Sequence, residues 1–234
     1  MPSCHSTNDI SAELISKGVI ENGTIVITDH QTKGRGQSGN TWESEKGENL
    51  TFSIILDTSF LKLQDQFYLN MIVCLALSDL ILEYVGAGVT IKWPNDIYYK
   101  DQKICGVLIQ NSLKGNQLEY SILGMGININ QQKFINRNAI SLKNITGRWY
   151  NLENVLQGIV EKMELYYNVL KAGNLEKLKN IYMKRLMWLN EEHTFHARNP
   201  FTGKITDIDE RGRLLILSDD IIRAFDFKEI RFVK

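Results

Sequence analysis

The first part of the chain alternates short apolar runs with amphipathic stretches. Thr24–Thr28 (TIVIT), Leu50–Leu56 (LTFSIIL) and Val89–Trp93 are rich in β-branched and aliphatic residues, which is typical of strands. The polar run Ser6-Thr7-Asn8-Asp9 precedes apolar residues at helical spacing, and Gly18 ends that run. The pattern predicts strands packed against helices. Helix capping alone would explain the polar residues before the first helix.

The longest apolar segment, about Phe67 to Val85, predicts a helix that is buried on most of its circumference. Asn70, Ser78, Asp79 and Glu83 lie within it. Because a membrane span is predominantly apolar along its whole length, we expect a core helix here and no membrane association.

Strands joined by tight turns follow this helix, and two amphipathic helices come after them. The predicted strands are Ile97–Tyr99, Lys103–Gln110 and Gln117–Leu123, and the predicted helices are Leu152–Lys171 and Leu175–Leu189. After Asn190 the pattern changes to five short strands with tight turns. These strands are Thr194–Arg198, Lys204–Asp209, Leu214–Ser218, Ile221–Phe225 and Glu229–Val233.

This change of pattern predicts two domains. Residues 1–189 form an α/β (α+β) domain, with a mixed β-sheet flanked by helices. Residues 190–234 form a small C-terminal β-barrel.

The charge balance limits the functional classes that need to be considered. The 234 residues contain 27 Lys and Arg and 27 Asp and Glu, so the formal net charge is zero. A general nucleic-acid surface requires clustered positive charge, so we expect no nucleic-acid partner. Cys4, Cys74 and Cys105 are far apart and odd in number, which favours a reducing, cytoplasmic environment. The N-terminal residues do not resemble a signal peptide.

A polar loop of about twenty residues, Asp29–Asn49, lies between two predicted strands. Gly34, Gly36 and Gly39 would let backbone N–H groups approach a ligand closely, and Arg35 adds a fixed positive charge. We therefore predict that this loop wraps an anionic or polar small molecule. A G-R-G triplet alone is also typical of a mobile loop.

Three further segments interrupt apolar strands with polar residues or glycine. They are Lys92-Trp93-Pro94-Asn95-Asp96, the pair Lys103 and Gly106, and Gly124–Asn130. Each segment also has an explanation that involves no function. These explanations are a packed Trp with an Asn-Asp turn for the first, a solvated strand end for the second and an ordinary turn for the third. The four histidines have no metal-ligand spacing, and no nucleophile motif occurs, so we predict no metal site built from protein side chains alone.

Taken together, these segments resemble the biotin protein ligases. The matching motifs are Ser6-Thr7-Asn8, Gln31-Thr32-Lys33-Gly34-Arg35-Gly36, Trp42, Lys92-Trp93-Pro94-Asn95-Asp96, Lys103-Ile104-Cys105-Gly106 and Gly124-Met125-Gly126-Ile127-Asn128. The resemblance covers about residues 3 to 130, and a small SH3-like barrel at the C-terminus also suits the family.

The resemblance implies a two-step reaction. Biotin and ATP, with Mg²⁺, give biotinyl-5′-AMP and pyrophosphate. The biotinyl group then passes to one lysine of a biotin carboxyl carrier protein, the expected partner. Relatives often pair through a sheet edge, so a homodimer is also an expectation.

The resemblance also implies roles for individual residues. The biotin-binding residues would be Ser6, Thr7, Asn8, Gln31, Gly34, Arg35, Lys103 and Gly106. The nucleotide-binding residues would be Arg35, Gly36, Gln37, Trp42, Lys92, Asn95, Asp96 and Asn128. Lys103, Arg35 and Asp96 would be catalytic: Lys103 contacts the biotin carboxyl and α-phosphate oxygens, and Asp96 assists Mg²⁺ or the incoming lysine. Lys228 and Arg223 are candidate contacts from the C-terminal strands.

One position departs from the family pattern. The family usually has a second arginine in the loop, as GRGR, whereas Gln37 follows Gly36 here. A cation that would help to retain the adenylate is absent at that position, so we predict faster release of the adenylate.

Two alternative functions differ in class. A biotin-responsive repressor carries a helix-turn-helix domain ahead of the catalytic domain, and Ser6 lies too near the first residue to leave room for one. A lipoate or octanoate ligase has a related fold and an equivalent lysine, but the GRG loop and KWPND fit the biotin ligases better.

Overall fold

The computed structural model describes residues 1–233, except for the side chain of Ser38. The helices are α1 (Thr7–Ser16), α2 (Phe67–Val85), α3 (Leu142–Thr146), α4 (Leu152–Lys171) and α5 (Leu175–Lys184), with single 3₁₀ turns at Gln37–Gly39 and Leu63–Asp65. The first six strands are β1 (Thr24–Thr28), β2 (Leu50–Asp57), β3 (Val89–Lys92), β4 (Asp96–Tyr99), β5 (Gln102–Lys114) and β6 (Gln117–Ile127). The last five are β7 (Glu192–His196), β8 (Pro200–Ile208), β9 (Leu214–Ser218), β10 (Ile221–Phe225) and β11 (Arg231–Phe232).

The first six strands form one sheet in the order β1-β2-β6-β5-β4-β3. The α/β fold class is confirmed, but the expected mixed sheet is wrong in its strand directions. Every pair of neighbouring strands in this sheet is antiparallel, because short turns join β3 to β4, β4 to β5 and β5 to β6. In this part of the chain parallel pairing occurs only at isolated bridges, such as that between Lys103 and Ala139.

Strand β2 is buried on both faces, which explains its nearly continuous apolar sequence. Successive side chains of a strand point to opposite faces. Phe52 and Ile54 belong to the main core, whereas Ser53 contacts Thr7 and Asn8 of α1. Polar residues on one face of a central strand thus mark the side on which α1 packs.

Helix α2 is the central core helix. It is long and apolar enough to cross a membrane by length and composition, and twelve of its nineteen residues are buried within the fold. It packs against α4, α5 and the sheet. Arg185 and Asp79 form an ion pair at 2.6 Å, and the Tyr166 hydroxyl donates to Asp79 at 2.5 Å, so polar groups fix α2 to both neighbours.

The five C-terminal strands form a second antiparallel sheet in the order β10-β9-β8-β7-β11. The predicted number of strands is confirmed. Between residues 190 and 233, backbone hydrogen bonds leave β10 and β11 at opposite edges, so pairing does not close the sheet into a complete barrel. Aromatic rings pack against one another within it, including Phe195, Phe201 and Phe232.

The two sheets are joined at the turn that follows β3. The indole N–H of Trp93 donates to the carbonyl of Gly212 at 3.0 Å, and its ring lies 5.2 Å from that of Phe227. Lys179 of α5 pairs with Asp207 of β8 at 2.9 Å. The boundary at residue 190 separates the two sheets, while the division into two domains stays a prediction because one core cluster includes residues of both.

Several element boundaries differ from the sequence-based predictions. β6 continues to Ile127, beyond its predicted end at Leu123, because Gly124 and Gly126 pair with both β2 and β5. Helix α5 ends at Lys184, and Trp188 and Asn190 adopt left-handed backbone conformations with φ near 60°. No sequence pattern predicted α3, a helix of five residues that begins with a Ser141–Asn144 capping box.

We expect one fast-reacting thiol in the native protein. Burial raises the pKa of the Cys74 and Cys105 thiols, so both stay protonated, whereas Cys4 is half-buried. Titration with a thiol reagent at neutral pH should label Cys4 alone, and all three after unfolding. A Cys4→Ser variant that still reacts quickly in the native state would contradict this assignment.

Candidate active site

A cavity of about 600 Å³ lies between the first sheet, the polar loop and the edge of the second sheet. Segments that are distant in the sequence meet there: the start of α1, the polar loop, the turn after β3, the first half of β5, the last residues of β6, and residues 227–232. Nearly all residues singled out from the sequence line it: Ser6, Thr7, Asn8, Gln31, Arg35, Gly36, Gln37, Trp42, Lys92, Asn95, Asp96, Lys103 and Gly106.

One end of the cavity is a network of buried polar side chains. Gln31 Oε1 accepts hydrogen bonds from the backbone N–H of Thr7 at 2.8 Å and from its hydroxyl at 3.3 Å. Ser53 Oγ lies 2.7 Å from both Thr7 Oγ1 and Asn8 Oδ1. Ser6 is the N-cap residue of α1 by backbone conformation, and its side chain makes no capping hydrogen bond. Capping therefore does not account for the polar residues before α1.

Asn8 links α1 to two strands of the sheet. Its side-chain amide donates to the Leu108 carbonyl at 3.2 Å and to Gln110 Oε1 at 3.0 Å. A Cβ on Gly124 would lie 2.2 Å from Asn8 Oδ1, so only glycine leaves room for this side chain. The network thus fixes the positions of the donors and acceptors at this end before any ligand binds.

The other end is organised around the indole of Trp42. Gly106 and Gly126 are directly opposite each other in β5 and β6. A Cβ on Gly126 would lie 2.3 Å from Trp42 Cε2, and one on Gly106 would lie 3.0 Å from its Cζ3. Trp42 Nε1 is buried and has no hydrogen-bond partner among residues 1–233. Because buried N–H groups are normally paired, this atom is a candidate donor to a ligand.

The glycine-rich part of the polar loop forms a small hairpin above the cavity. The Gly36 N–H donates to the Asn40 carbonyl at 2.7 Å, and the Trp42 N–H donates to the Gly34 carbonyl at 3.1 Å. Near its base, where Arg35 bridges to Thr41, the Arg35 side chain pairs with Asp9 of α1 at 3.0 Å, and both side chains are partly exposed. Such exposed pairs contribute little free energy, so Arg35 can exchange Asp9 for an anionic ligand at small cost.

Lys103 and Asp96 form an ion pair at 2.6 Å in the middle of the cavity. Only 27% and 24% of their side-chain surfaces are exposed. Lys103 Nζ also lies 5.7 Å from the centre of a Trp42 ring. In this setting of low polarity a lysine attracts an anion more strongly than it would in water. Nearby, burial and the Asp96 charge raise the pKa of Tyr98 to about 12, so its phenol stays neutral.

The remaining residues of the KWPND motif have separate positions. Lys92 Nζ lies 5.1 Å from the ring centres of both Tyr98 and Phe232, and therefore contacts both sheets. Asn95 is buried, and its amide donates to the Val107 carbonyl. It thereby holds the turn against β5, beside the Lys103–Asp96 pair.

Two predicted site residues do not line the cavity. Gly34 packs under the backbone of Trp42 instead, and a Cβ there would lie 2.6 Å from the Trp42 carbonyl oxygen. Asn128 is buried behind the cavity, where its amide donates to the Ile140 carbonyl at 3.1 Å. Its Oδ1 has no partner among residues 1–233. Direct adenine contact by Asn128 stays a prediction.

The C-terminal sheet supplies residues that the sequence analysis largely missed. Those that line the cavity are Phe227, Lys228, Ile230, Arg231 and Phe232. Lys228 is one of the two candidates named from this region. The other, Arg223, is not a lining residue, and it lies near Asp219 and the Phe201 ring.

No group of three or more His, Cys, Asp or Glu side chains that could hold a metal ion occurs in the described part of the chain. The cavity instead offers cations and N–H donors, with a single carboxylate, Asp96, near its centre. Such a donor set suits an anionic ligand that brings its own metal ion.

Comparison with known proteins assigns the family. Residues 1–128 match the biotin/lipoate A/B protein ligase family. This chain belongs to that family. The curated bifunctional ligase/repressor BirA of Bacillus subtilis is 29% identical over 224 residues, covering 93% of this chain and 68% of that protein. BirA of Escherichia coli is 26% identical, covering 98% of this chain and 72% of its own length.

Solved structures agree with this assignment. The biotin protein ligase from Aquifex aeolicus, in complex with biotin and ATP, superimposes with a TM-score of 0.81 at 28% identity, covering 100% of this chain and 97% of that one. A biotin protein ligase from Leishmania major shares the fold, with a TM-score of 0.65 at 23% identity over 97% of each chain. The ligase fold therefore extends over both sheets.

A methyl group at Gly126 should displace the Trp42 indole, whereas one at Gly124 should strain the Asn8 network. We expect Gly126→Ala to change the tryptophan emission spectrum, and Gly124→Ala to leave it close to that of the wild type while lowering stability. Trp42→Phe identifies the contribution of Trp42 among the four tryptophans. Equal spectral changes in both alanine variants would contradict the placement of Trp42 over Gly126.

Proposed function

We propose that this protein is an ATP-dependent biotin protein ligase. In the first step an oxygen of the biotin carboxylate attacks the α-phosphorus of ATP, which forms biotinyl-5′-AMP and releases pyrophosphate. In the second step the amine of a carrier lysine attacks the acyl carbon, which forms an amide, releases AMP and frees one proton. Family membership and similarity to biotin protein ligases over the whole chain support this proposal.

The observation that carries the proposal is a single cavity that is lined by a polar network, by an aromatic ring and by the amine of Lys103. Thr7, Asn8 and Gln31 form a rigid polar end that suits the ureido group of biotin. The aromatic end at Trp42 suits the adenylate. Lys103 lies beside the Trp42 ring, 5.7 Å from its centre, and we propose that the biotin carboxylate and the α-phosphate meet at its amine.

The reaction brings two anions together, so fixed positive charge is needed where they meet. Lys103 supplies an amine that can contact both the carboxylate and the α-phosphate. The ion pair with Asp96 holds this amine in the cavity before the substrates bind. Arg35 adds a second cation on the hairpin above it, once an anionic ligand replaces Asp9.

The mixed anhydride formed in the first step must be kept from water until the acceptor arrives. Residues of the hairpin from Gly34 to Trp42 and residues 227–232 both line the cavity. Closure of the loop over the adenylate would exclude water, and its opening would admit the carrier lysine.

We also propose that ATP binds with Mg²⁺. Mg²⁺ is commonly held by one or two carboxylates together with substrate phosphates, and Asp96 is the carboxylate in position to do so. Bound there, the ion would neutralise phosphate charge. We further propose that Asp96, which pairs with Lys103 before the substrates bind, orients the incoming lysine.

The proposed partner is a carrier domain of a biotin-dependent carboxylase, and we further propose a cytoplasmic location, in line with the three free cysteines. A homodimer is proposed through β1, an outer strand of the first sheet. Outer strands present unpaired backbone groups that can pair with another chain.

Lys103→Ala should lower the rate of biotin-dependent pyrophosphate release by about a hundredfold or more, since it removes the cation at the reacting centre. Lys114→Ala, an exposed lysine at the end of the same strand, serves as the control. A second assay measures ATP-dependent transfer of biotin to a carrier domain, with lipoate and a lipoyl domain as the competing pair. Full activity in Lys103→Ala would show that another residue has the essential role. A preference for lipoate over biotin would identify the protein as a lipoate ligase.

Gln37→Arg should slow the escape of biotinyl-5′-AMP by about tenfold, because a cation at this lining position adds an attraction of roughly 1–2 kcal/mol for the adenylate phosphate. The measurement is the release rate of preformed adenylate in the absence of a carrier. Gln37→Lys introduces the same charge without the planar guanidinium group, so it tests the effect of charge alone on adenylate release. Unchanged release in both variants would show that residue 37 does not control retention.

A further inference from the structure

Glu43 follows Trp42 directly, and its carboxylate is tied to a distant segment. It accepts hydrogen bonds from the backbone N–H groups of Ile135 at 2.8 Å and Asn136 at 3.2 Å. The side-chain amide of Gln131 donates to it at 3.5 Å. We call residues 131–140, which contain all three donors, the strap.

The far end of the strap is bound to the backbone of Lys103. The Lys103 N–H donates to the Asn138 carbonyl at 2.7 Å, and the Ile140 N–H donates to the Lys103 carbonyl at 3.0 Å. The strap therefore connects the residue after Trp42 to the residue at the centre of the cavity.

The start of the strap is fixed to the end of the polar loop. Gln131 is buried, and its Oε1 accepts from the Asn49 amide at 2.6 Å and from the Glu45 N–H at 2.9 Å. On its other side Trp42 is held by the Gly34 carbonyl. Trp42 lies between these two fixed points. Among the loop residues whose side chains bind the strap, Glu43 is the nearest to Trp42 in the sequence.

We propose that Glu43 is a positioning residue, which sets the Trp42 indole over Gly106 and Gly126 and couples it to Lys103 through the strap. Glu43 itself is not a lining residue of the cavity, so it acts through Trp42 and the strap. The inference rests on the proposed function, because it assigns Glu43 to the nucleotide end of the ligase site.

A carboxylate suits this task for a physical reason. Its two oxygens accept from two successive N–H groups, and hydrogen bonds to an ionised acceptor are roughly twice as strong as neutral ones. Glutamine keeps one acceptor oxygen without the charge, and alanine removes both. The three residues should therefore give a graded series at position 43.

The first test compares Glu43→Ala with Glu45→Ala. Glu45 is exposed, and the structure shows no hydrogen bond or ion pair to its carboxylate within residues 1–233, so its removal should change little. For Glu43→Ala we expect the KM for ATP to rise about tenfold, as for one lost charge-assisted hydrogen bond, while the Kd for biotin stays within about twofold. Glu43→Gln should lie between the wild type and Glu43→Ala.

A purely structural role would instead lower thermal stability and change the binding of both substrates together. Equal KM values for ATP in Glu43→Ala and Glu45→Ala would overturn the proposal. If Glu43→Ala does not fold, the same comparison is made with Glu43→Gln.

The second test is a double-mutant cycle with Trp42→Phe, measured on the KM for ATP and on tryptophan emission. If Glu43 acts through Trp42, the effects on KM are not additive, and Glu43→Ala changes the emission spectrum only when Trp42 is present. Additive effects, or the same spectral change in the Trp42→Phe background, would overturn the proposal.

The emission measurement requires no catalysis. It therefore separates failure of this inference from failure of the proposed function, which would show as a wild-type protein without biotin-dependent pyrophosphate release.

Discussion

The close approach of the Trp42 indole to two facing glycines is the constraint on which the candidate site depends. Gly106 and Gly126 lie opposite each other in β5 and β6, and a methyl group on Gly126 would overlap the ring. Because these positions have no side chains, the surface of the central strands is flat there. Trp42 can lie on this surface only because its polar loop is long enough to return over the sheet from the end of β1.

The same requirement for space explains the opposite end of the cavity. Gly124, two residues before Gly126 on the same face of β6, leaves room for Asn8. Alternate positions of one strand thus accept a polar network at one end and an aromatic ring at the other. Since both contacts are with backbone, the distance between the two ends is set by the strand itself, at roughly 3.3 Å per residue. This fixed separation favours a ligand of fixed length that is polar at one end and aromatic at the other.

Much of this site could be predicted from the sequence because polar residues stand out where they interrupt apolar strands. The Lys92–Asp96 turn and Lys103 were visible for that reason. The sheet was predicted less well, because a strand pattern does not reveal which strands are neighbours or in which direction they run. It is wholly antiparallel, and β6 extends to Ile127, beyond its predicted end at Leu123.

Contacts between distant parts of the chain left no local signal. Phe227 and Phe232 are ordinary apolar residues in the sequence, and they reach the cavity because Trp93 binds the turn at Gly212. Glu43 was overlooked for a related reason. A glutamate in a polar loop is usually solvated, and its partners are backbone N–H groups about ninety residues away, which no side-chain pattern can reveal.

The charges of the cavity show how it could remain stable without a ligand and still select one. Lys103 is paired with the carboxylate of Asp96, and the more exposed Arg35 is paired with Asp9. Burying an unpaired cation is costly, so Asp96 stabilises the empty site, whereas the exposed Arg35–Asp9 pair contributes little free energy. A ligand with one negative charge gains little by displacing Asp96 from Lys103. A polyphosphate carries several charges, so it can contact Lys103 and Arg35 together and compensate for the loss of both carboxylate partners. The paired cations therefore favour a polyphosphate such as ATP over simple anions, which is the selectivity that the first step of a biotin ligase requires.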